Sequence, residues 1–218
     1  MNLAKPLAFV PTTPVPTQVS RKVILGSSSR YRRDLLQRLQ LPFDVTTPDV
    51  DETPLPGEAS RSLAERLALA KAYAVASIFP QAVVIGSDQV ADLKGQTLGK
   101  PGTHERAVWQ LRQMRGQTVV FQTAVAVVCL EDSFEQTSLA TVNVTFRDLT
   151  DDEIENYLRA EQPYDCAGSA KSEGLGIALL ASIDSDDPTA LIGLPLIRTC
   201  KMLQAAGIDL LSSKAGAA

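Results

Sequence analysis

Residues 23–36 read VILGSSSRYRRDLL, and no other stretch limits the fold so tightly. Val23, Ile24 and Leu25 make a short apolar run, the signature of a buried strand. Gly26 and three serines interrupt it, and Leu35, Leu36 and Leu39 then recur at helical spacing. A strand that passes into a helix through Gly and Ser leaves helix-start N–H groups without backbone partners, at the positive end of the helix dipole. Arg30, Arg32 and Arg33 add planar cationic forks at the same place. The pattern reads as an anion site suited to a phosphorylated small molecule. The commoner reading of such residues is an N-cap followed by solvated arginines.

Strand and helix signals alternate through the rest of the chain. Residues 22–26 predict a buried strand, followed by a helix to about Gln40, a short strand at 43–46 and an acidic, Pro-containing loop at 49–58. The clearest helix spans 60–78, with Leu63, Leu67, Ala70 and Ala74 on one face. A strand at 82–85 runs into Gly86, Ser87, Asp88 and Gln89. Thr103 should cap a helix to about Met114, without a capping box because Arg106 stands where Glu or Gln is needed. Residues 117–130 and 135–147 predict two long strands joined by a polar turn, 151–160 a helix with an acidic start, 174–183 a strand, and 194–206 a helix ended by Gly207. This order implies an α/β protein with a mixed sheet, since the long pair should be antiparallel. Residues 1–20, with four prolines, and 211–218 read as irregular tails around one domain at 21–210.

Bulk properties prune the functions. A chain of 218 residues suffices for one large domain or two lobes sharing a cleft. A net charge of −4 speaks against a general nucleic-acid binder, though not against a nucleotide site with a few local cations. Cys129, Cys166 and Cys200 are sparse and far apart, which fits reduced thiols in the cytoplasm better than a disulfide framework. No apolar run approaches the ~20 residues of a membrane span, and the N-terminus lacks a signal-peptide pattern. His104 is the single histidine, so a histidine-rich metal site is excluded; a metal would sit on carboxylates, favouring Mg²⁺ or Mn²⁺.

Several residues could carry chemistry. Asp88, just past an apolar run, could bind a metal or act as a general base; alone it would equally be a turn residue. Asp49, Asp51 and Glu52 could hold a hard cation, or simply be solvated. Lys71 shares the apolar face of Leu63 and Leu67, so it either snorkels outward or holds a cation at the core's edge. Lys100, in LGKPG, is not part of a Walker A loop, because Pro101 takes the Ser/Thr position. The Gly/Ser segment 166–176, CAGSAKSEGLG, is either a flexible connection or a recognition loop. Together these elements offer what metal-assisted cleavage of a nucleoside triphosphate requires.

LGSSSRYRRDLL, VDET, the Lys71 helix, IGSDQV, LGKP, CAGSAKSEG and IGLP at 192–195 occur in an order and spacing that resemble the Maf family of nucleoside triphosphate pyrophosphatases. The resemblance runs from about residue 22 to 207. It implies a two-lobed α/β fold similar to inosine triphosphate pyrophosphatases with a central cleft, and hydrolysis of a nucleoside triphosphate to its monophosphate and pyrophosphate with a divalent metal. It makes Asp88 the proton acceptor and a metal-linked group, and Glu52 a second metal-linked carboxylate. Ser27, Arg32 and Arg33 become the phosphate loop, with Lys71 and Lys100 neutralising phosphate charge. A homodimer is a further implication. Three positions choose the branch: Tyr31, Gln89 and Glu173 stand where the YceF-like branch, associated with 7-methyl-GTP, has Trp, Gln and Glu. The branch cleaving dTTP and UTP has Arg, Thr and Gln there. The alternatives are another base or modified nucleotide, and a nucleotide-binding regulator of cell division with little turnover.

Overall fold

A computed structural model describes residues 21–211. The expected tail at 1–20, and residues 212–218 of the expected C-terminal tail, lie outside the described residues. The described residues form a seven-stranded mixed sheet with five α-helices around it, the α/β architecture that the element order implies. The strands are β1 (Val23–Gly26), β2 (Asp44–Thr46), β3 (Val83–Leu93), β4 (Gln96–Leu98), β5 (Thr118–Cys129), β6 (Phe134–Phe146) and β7 (Leu180–Asp184). The helices are α1 (Arg30–Gln37), α2 (Ser60–Ala76), α3 (His104–Met114), α4 (Asp151–Glu161) and α5 (Leu196–Ala205). Among the described residues, no helix is long and apolar enough to cross a membrane.

The strand order is β2-β1-β3-β5-β6-β7, with β4 added on β3. β1 pairs in parallel with β2 and β3; β5 and β6 pair antiparallel along their whole length, as their sequences predict. The lengths of the neighbours of β3 matter most for function. β1 accompanies it only to Gly26 opposite Gly86, and β4 joins it only from Ala91 to Leu93. Between these points, the edge of β3 at residues 87–90 has no strand partner on that side among the described residues, although β5 pairs it on the other.

Apolar residues pack in three clusters. α1 and α5 cover one face of the sheet through Leu35, Leu36, Leu196 and Leu203, while α2 covers the opposite face through Leu63, Ala64, Leu67, Ala68 and Val75. A third cluster joins α3 and α4 to the remaining halves of β5 and β6.

The structure corrects several expectations. β3 does not stop at Ile85 but continues to Leu93, because β5 offers it an unbroken partner from Val120 to Val128; turn-type residues at 86–88 are overridden by tertiary pairing. β4 falls in a segment without strand signal. The expected strand at 174–183 begins with a 3₁₀ turn over Leu175–Leu179, and only Leu180–Asp184 is extended. The Glu161 carboxylate accepts from Leu175 N at 2.8 Å and pairs with Lys171, which bends this segment over the end of α4. On α2 the buried face runs through Leu63, Ala64, Leu67, Ala68, Lys71, Ala72, Val75 and Ala76, so Ala70 and Ala74 lie at its margin.

Candidate active site

The open edge of β3 forms the floor of a cavity of about 790 Å³. Side chains alternate along a strand, so Asp88 faces α2 whereas Ser87 and Gln89 face the loop at 190–193. Opposite Asp88 stands Lys71, only 5% exposed, on the buried face of α2. Its Nζ lies 2.6 Å from Asp88 Oδ1 and 2.7 Å from Glu52 Oε1, so one ammonium gathers two carboxylates. Asp88 is 7% exposed, while the Glu52 side chain is largely accessible. Burial pushes the Glu52 carboxyl up, but the Lys71 hydrogen bond and the charges of Lys71, Lys100 and Arg32 outweigh it and hold the group below its ordinary value.

Glu52 reaches Lys71 because its loop is tied to the same helix. Arg66, earlier on α2 than Lys71, holds both Glu58 oxygens at 2.7 and 2.8 Å and donates to Thr53 O at 3.1 Å. This fork is not evident from the sequence, where Arg66 is one of several charges alongside the apolar face of α2. It holds the Glu58 carboxyl down at about 2, with the Arg66 hydrogen bond the largest cause. A depressed carboxyl stabilises the fold above its ordinary value of 4.5 and loses that contribution as pH falls through about 2. The melting temperature of Glu58→Gln should therefore fall less steeply than that of the wild type below pH 4.5. Parallel curves for the two proteins, measured by circular dichroism, would refute this.

Ser27, Ser29 and Arg32 are drawn together at the start of α1. Ser29 caps α1, accepting from Arg32 N at 3.4 Å, and Ser27 Oγ accepts from Ser29 N at 3.1 Å. Arg32 turns inward: its Nε donates to Gly193 O at 2.8 Å and its Nη1 approaches Ser27 Oγ at 3.5 Å. Burial lowers the Arg32 pKa, against the opposing charges of Asp88 and Glu52. Gly193 adopts φ +125°, a conformation open to glycine, which presents its carbonyl to Arg32 and also to Ser87 Oγ at 3.0 Å. Ser27, Arg32, Lys71 and Lys100 all line the cavity. Arg33 does not; one helical step past Arg32, it is exposed and outside the cavity wall.

Tyr31, Gln89 and Glu173 line the same cavity. Gln89 Nε2 is surrounded by three acceptors, Thr123 Oγ1, Ala190 O and Leu191 O, each at 2.9 Å, which fixes the amide orientation. Thr123 uses its own proton on Ala190 O at 2.9 Å, so it must accept from Gln89. Tyr31 is bracketed by Arg30, which donates to its hydroxyl at 2.8 Å and lies over its ring at 4.8 Å from the centroid. Both Asp165 oxygens are 3.4 Å from that hydroxyl. Burial pushes the Tyr31 phenol up to about 12, so it remains a neutral donor at physiological pH. Cys166 stands beside it at 3.7 Å, and burial pushes its thiol up to about 11, which leaves it a poor nucleophile at neutral pH. Glu173 is exposed at the rim, and its charge helps to raise the Cys166 thiol.

Other supports were not legible in sequence. Asp187, fully buried, accepts from Arg198 N at 3.1 Å and pairs with its guanidinium at 3.6 Å, anchoring the segment that carries Gly193 to the start of α5. His104 bridges Tyr164 Oη at 3.0 Å and Glu155 at 2.9 Å, so the single histidine ties α3 to α4. The acidic loop is divided: Glu52 joins the cavity, whereas Asp51 accepts from Thr53 N at 2.9 Å within its own turn. Among the described residues, no group of three or more His, Cys, Asp or Glu side chains is arranged to hold a metal ion by itself.

Fold and site together define an α/β protein whose mixed sheet opens one strand edge into a cleft lined by arginine and lysine side chains, with two carboxylates paired on a buried lysine. The chain belongs to the Maf family: the family described as Maf-like protein matches residues 22–206. A relative from Polaromonas sp., named 7-methyl-GTP pyrophosphatase, is 76% identical over 215 residues and covers 98% of each chain. Relatives of the same name from Albidiferax ferrireducens and Burkholderia thailandensis are 68% and 61% identical, covering 89% and 90% of this chain and 98% and 93% of their own. The solved structure of the Staphylococcus aureus Ham1 protein is 17% identical with a TM-score of 0.44, covering 59% of this chain and 73% of its own.

Proposed function

We propose that the protein hydrolyses 7-methyl-GTP to 7-methyl-GMP and pyrophosphate. One observation carries the reading: a single cavity is lined both by the Glu52–Lys71–Asp88 cluster with Arg32 and Lys100, and by Tyr31, Gln89 and Glu173. The name shared by the relatives supports the choice of base.

The triphosphate lies against Ser27, Arg32, Lys71 and Lys100, whose charges offset the negative charge that develops on the phosphate oxygens. Asp88 takes a proton from a water molecule; the water oxygen bonds to the scissile phosphorus as the bond to the pyrophosphate oxygen breaks. Glu52 and Asp88 are hard oxygen donors gathered on one lysine, and they would hold a Mg²⁺ or Mn²⁺ ion. When bound, such an ion neutralises phosphate charge.

N7-methylguanine is cationic, and an aromatic face attracts it. Arg30 covers one face of Tyr31, leaving the other for the base. Glu173 accepts from N1–H and N2–H₂ of guanine together, and its charge favours the cationic form. Glu173→Gln should reduce the preference for 7-methyl-GTP over UTP by about tenfold, the scale of a lost charge-assisted pair. An unchanged ratio of kcat/KM values would remove Glu173 from base recognition.

The decisive assay is pyrophosphate release from 7-methyl-GTP, GTP, UTP, dTTP and CTP with Mg²⁺ or Mn²⁺. Preference for 7-methyl-GTP is expected. Preference for another triphosphate would overturn the assigned base, and folded protein without turnover on any of them would overturn the enzymatic reading.

A further inference from the structure

Gln110 is a polar residue in an apolar place. It projects from α3 with 3% of its surface exposed, between Ala107, Leu111 and Met114, all fully buried. Burying a primary amide is unfavourable unless both ends find partners. Here both do. Nε2 donates to Gly99 O at 2.9 Å, and Oε1 accepts from Ser169 Oγ at 2.5 Å. These partners belong to two different walls of the cavity. Gly99 and Lys100 form one; Ser169 sits in the loop whose neighbours Cys166, Ala167, Ala170 and Glu173 form the other.

The Ser169 side is built to transmit position. Ser169 is fully buried at φ +56°, a left-handed conformation that serine rarely adopts. Tyr157 Oη donates to its carbonyl at 3.2 Å and itself accepts from Lys171 N at 3.1 Å, two residues before Glu173. A backbone strap, Gly102 N to Tyr164 O at 3.1 Å, joins the same two segments and does not depend on Gln110.

We propose that Gln110 is a positioning residue that sets the Lys100 turn and the 166–173 loop against each other, so that phosphate binding and base selection share one adjustment. The proposal rests on the nucleotide reading above. Gln110 touches no substrate; it acts through the two loops it bridges. Because its two ends do different work, they are separable. Gln110→Met keeps the volume and loses both bonds. Gln110→Glu keeps an acceptor for Ser169 and loses the donor to Gly99. Ser169→Ala loses only the loop side.

The test combines steady-state kinetics on 7-methyl-GTP and GTP with hydrogen exchange of peptides covering 99–102 and 166–173. Gln110→Met should raise KM for 7-methyl-GTP and lower its preference over GTP, each about fivefold, the scale of one lost hydrogen bond, with a smaller fall in kcat. Gln110→Glu should raise KM for both nucleotides and keep the preference; Ser169→Ala should lose the preference and keep KM for GTP. Exchange should quicken in both peptides, in the first alone, and in the second alone, respectively. If Gln110→Met does not fold, the other two variants carry the test. A fall in kcat with KM and preference unchanged, or exchange that quickens throughout α3 instead, would make Gln110 an ordinary core residue and overturn the proposal. Absence of pyrophosphate release by the wild type would refute the nucleotide reading alone, and the exchange pattern would still decide whether Gln110 couples the loops.

Discussion

Asp88→Asn should lose pyrophosphate release by roughly 10³-fold while the protein stays folded, the scale of removing a positioned general base. The substitution conserves shape and leaves an oxygen for Lys71 Nζ, now 2.6 Å from Asp88 Oδ1. It removes the group that would take a proton from water, and it also removes one charge from a candidate metal pair. Lys71 retains Glu52 at 2.7 Å, so the buried ammonium is not stranded without a partner. The check is turnover alongside the melting temperature. Near-normal turnover would take Asp88 out of the chemistry. Loss of turnover together with unfolding would show instead that the Lys71–Asp88 pair is chiefly structural.

Gly86→Ala should destabilise the protein through a single methyl group. A Cβ at Gly86 would lie 2.2 Å from Ala68 O, 2.6 Å from Ala72 N and 3.0 Å from Ala72 Cβ. The two closest are backbone atoms of α2 and cannot swing aside, so the helix itself must withdraw from the sheet. Overpacking of this kind costs about 1–3 kcal/mol, which for a domain of this size lowers the melting temperature by roughly 3–10 °C. The shift has a functional consequence because Lys71 lies on α2 between those two contacts. Turnover per folded molecule should therefore fall as well. An unchanged melting temperature and unchanged turnover would show that α2 has room to move, contrary to this packing.

Both predictions turn on features that the sequence displays unequally. The βα unit at residues 23–37 was readable because its signals are local: an apolar run, a Ser cap, and leucines at helical spacing. The long β5–β6 pair was readable for the same reason. β3 was not, since Gly86, Ser87 and Asp88 are turn residues by type, and only the continuous ladder with β5 makes them extended. Its true length changes the meaning of Asp88. The residue does not follow the end of its own strand; it lies within β3, past the end of β1, where the sheet edge opens.

The candidate site shows the same division. Most of its members were visible as residue types within motifs: Ser27, Tyr31, Arg32, Glu52, Lys71, Asp88, Gln89, Lys100 and Glu173 all line one cavity. Arg33 was visible too and is turned away, because a helix rotates successive side chains by about 100°. The supports were invisible. Arg66, Gln110, Thr123 and Asp187 look like ordinary polar residues, and their partners lie beyond the three- or four-residue spacing that helical periodicity reveals.

The sequence by itself therefore determined the α/β class, the element order and the chemical cast: cations for phosphates, carboxylates for proton or metal work, and an aromatic–amide–acid trio. Local periodicity and residue chemistry carry that information without reference to distant segments. Only the tertiary structure decided that one ammonium holds Glu52 and Asp88 together, that neighbours Asp88 and Gln89 serve opposite faces of the sheet, and that a buried amide joins two walls of the cleft. Those outcomes depend on where β1 ends, how closely α2 approaches at Gly86 and which carbonyls the loops present, quantities set by packing between segments far apart in the chain.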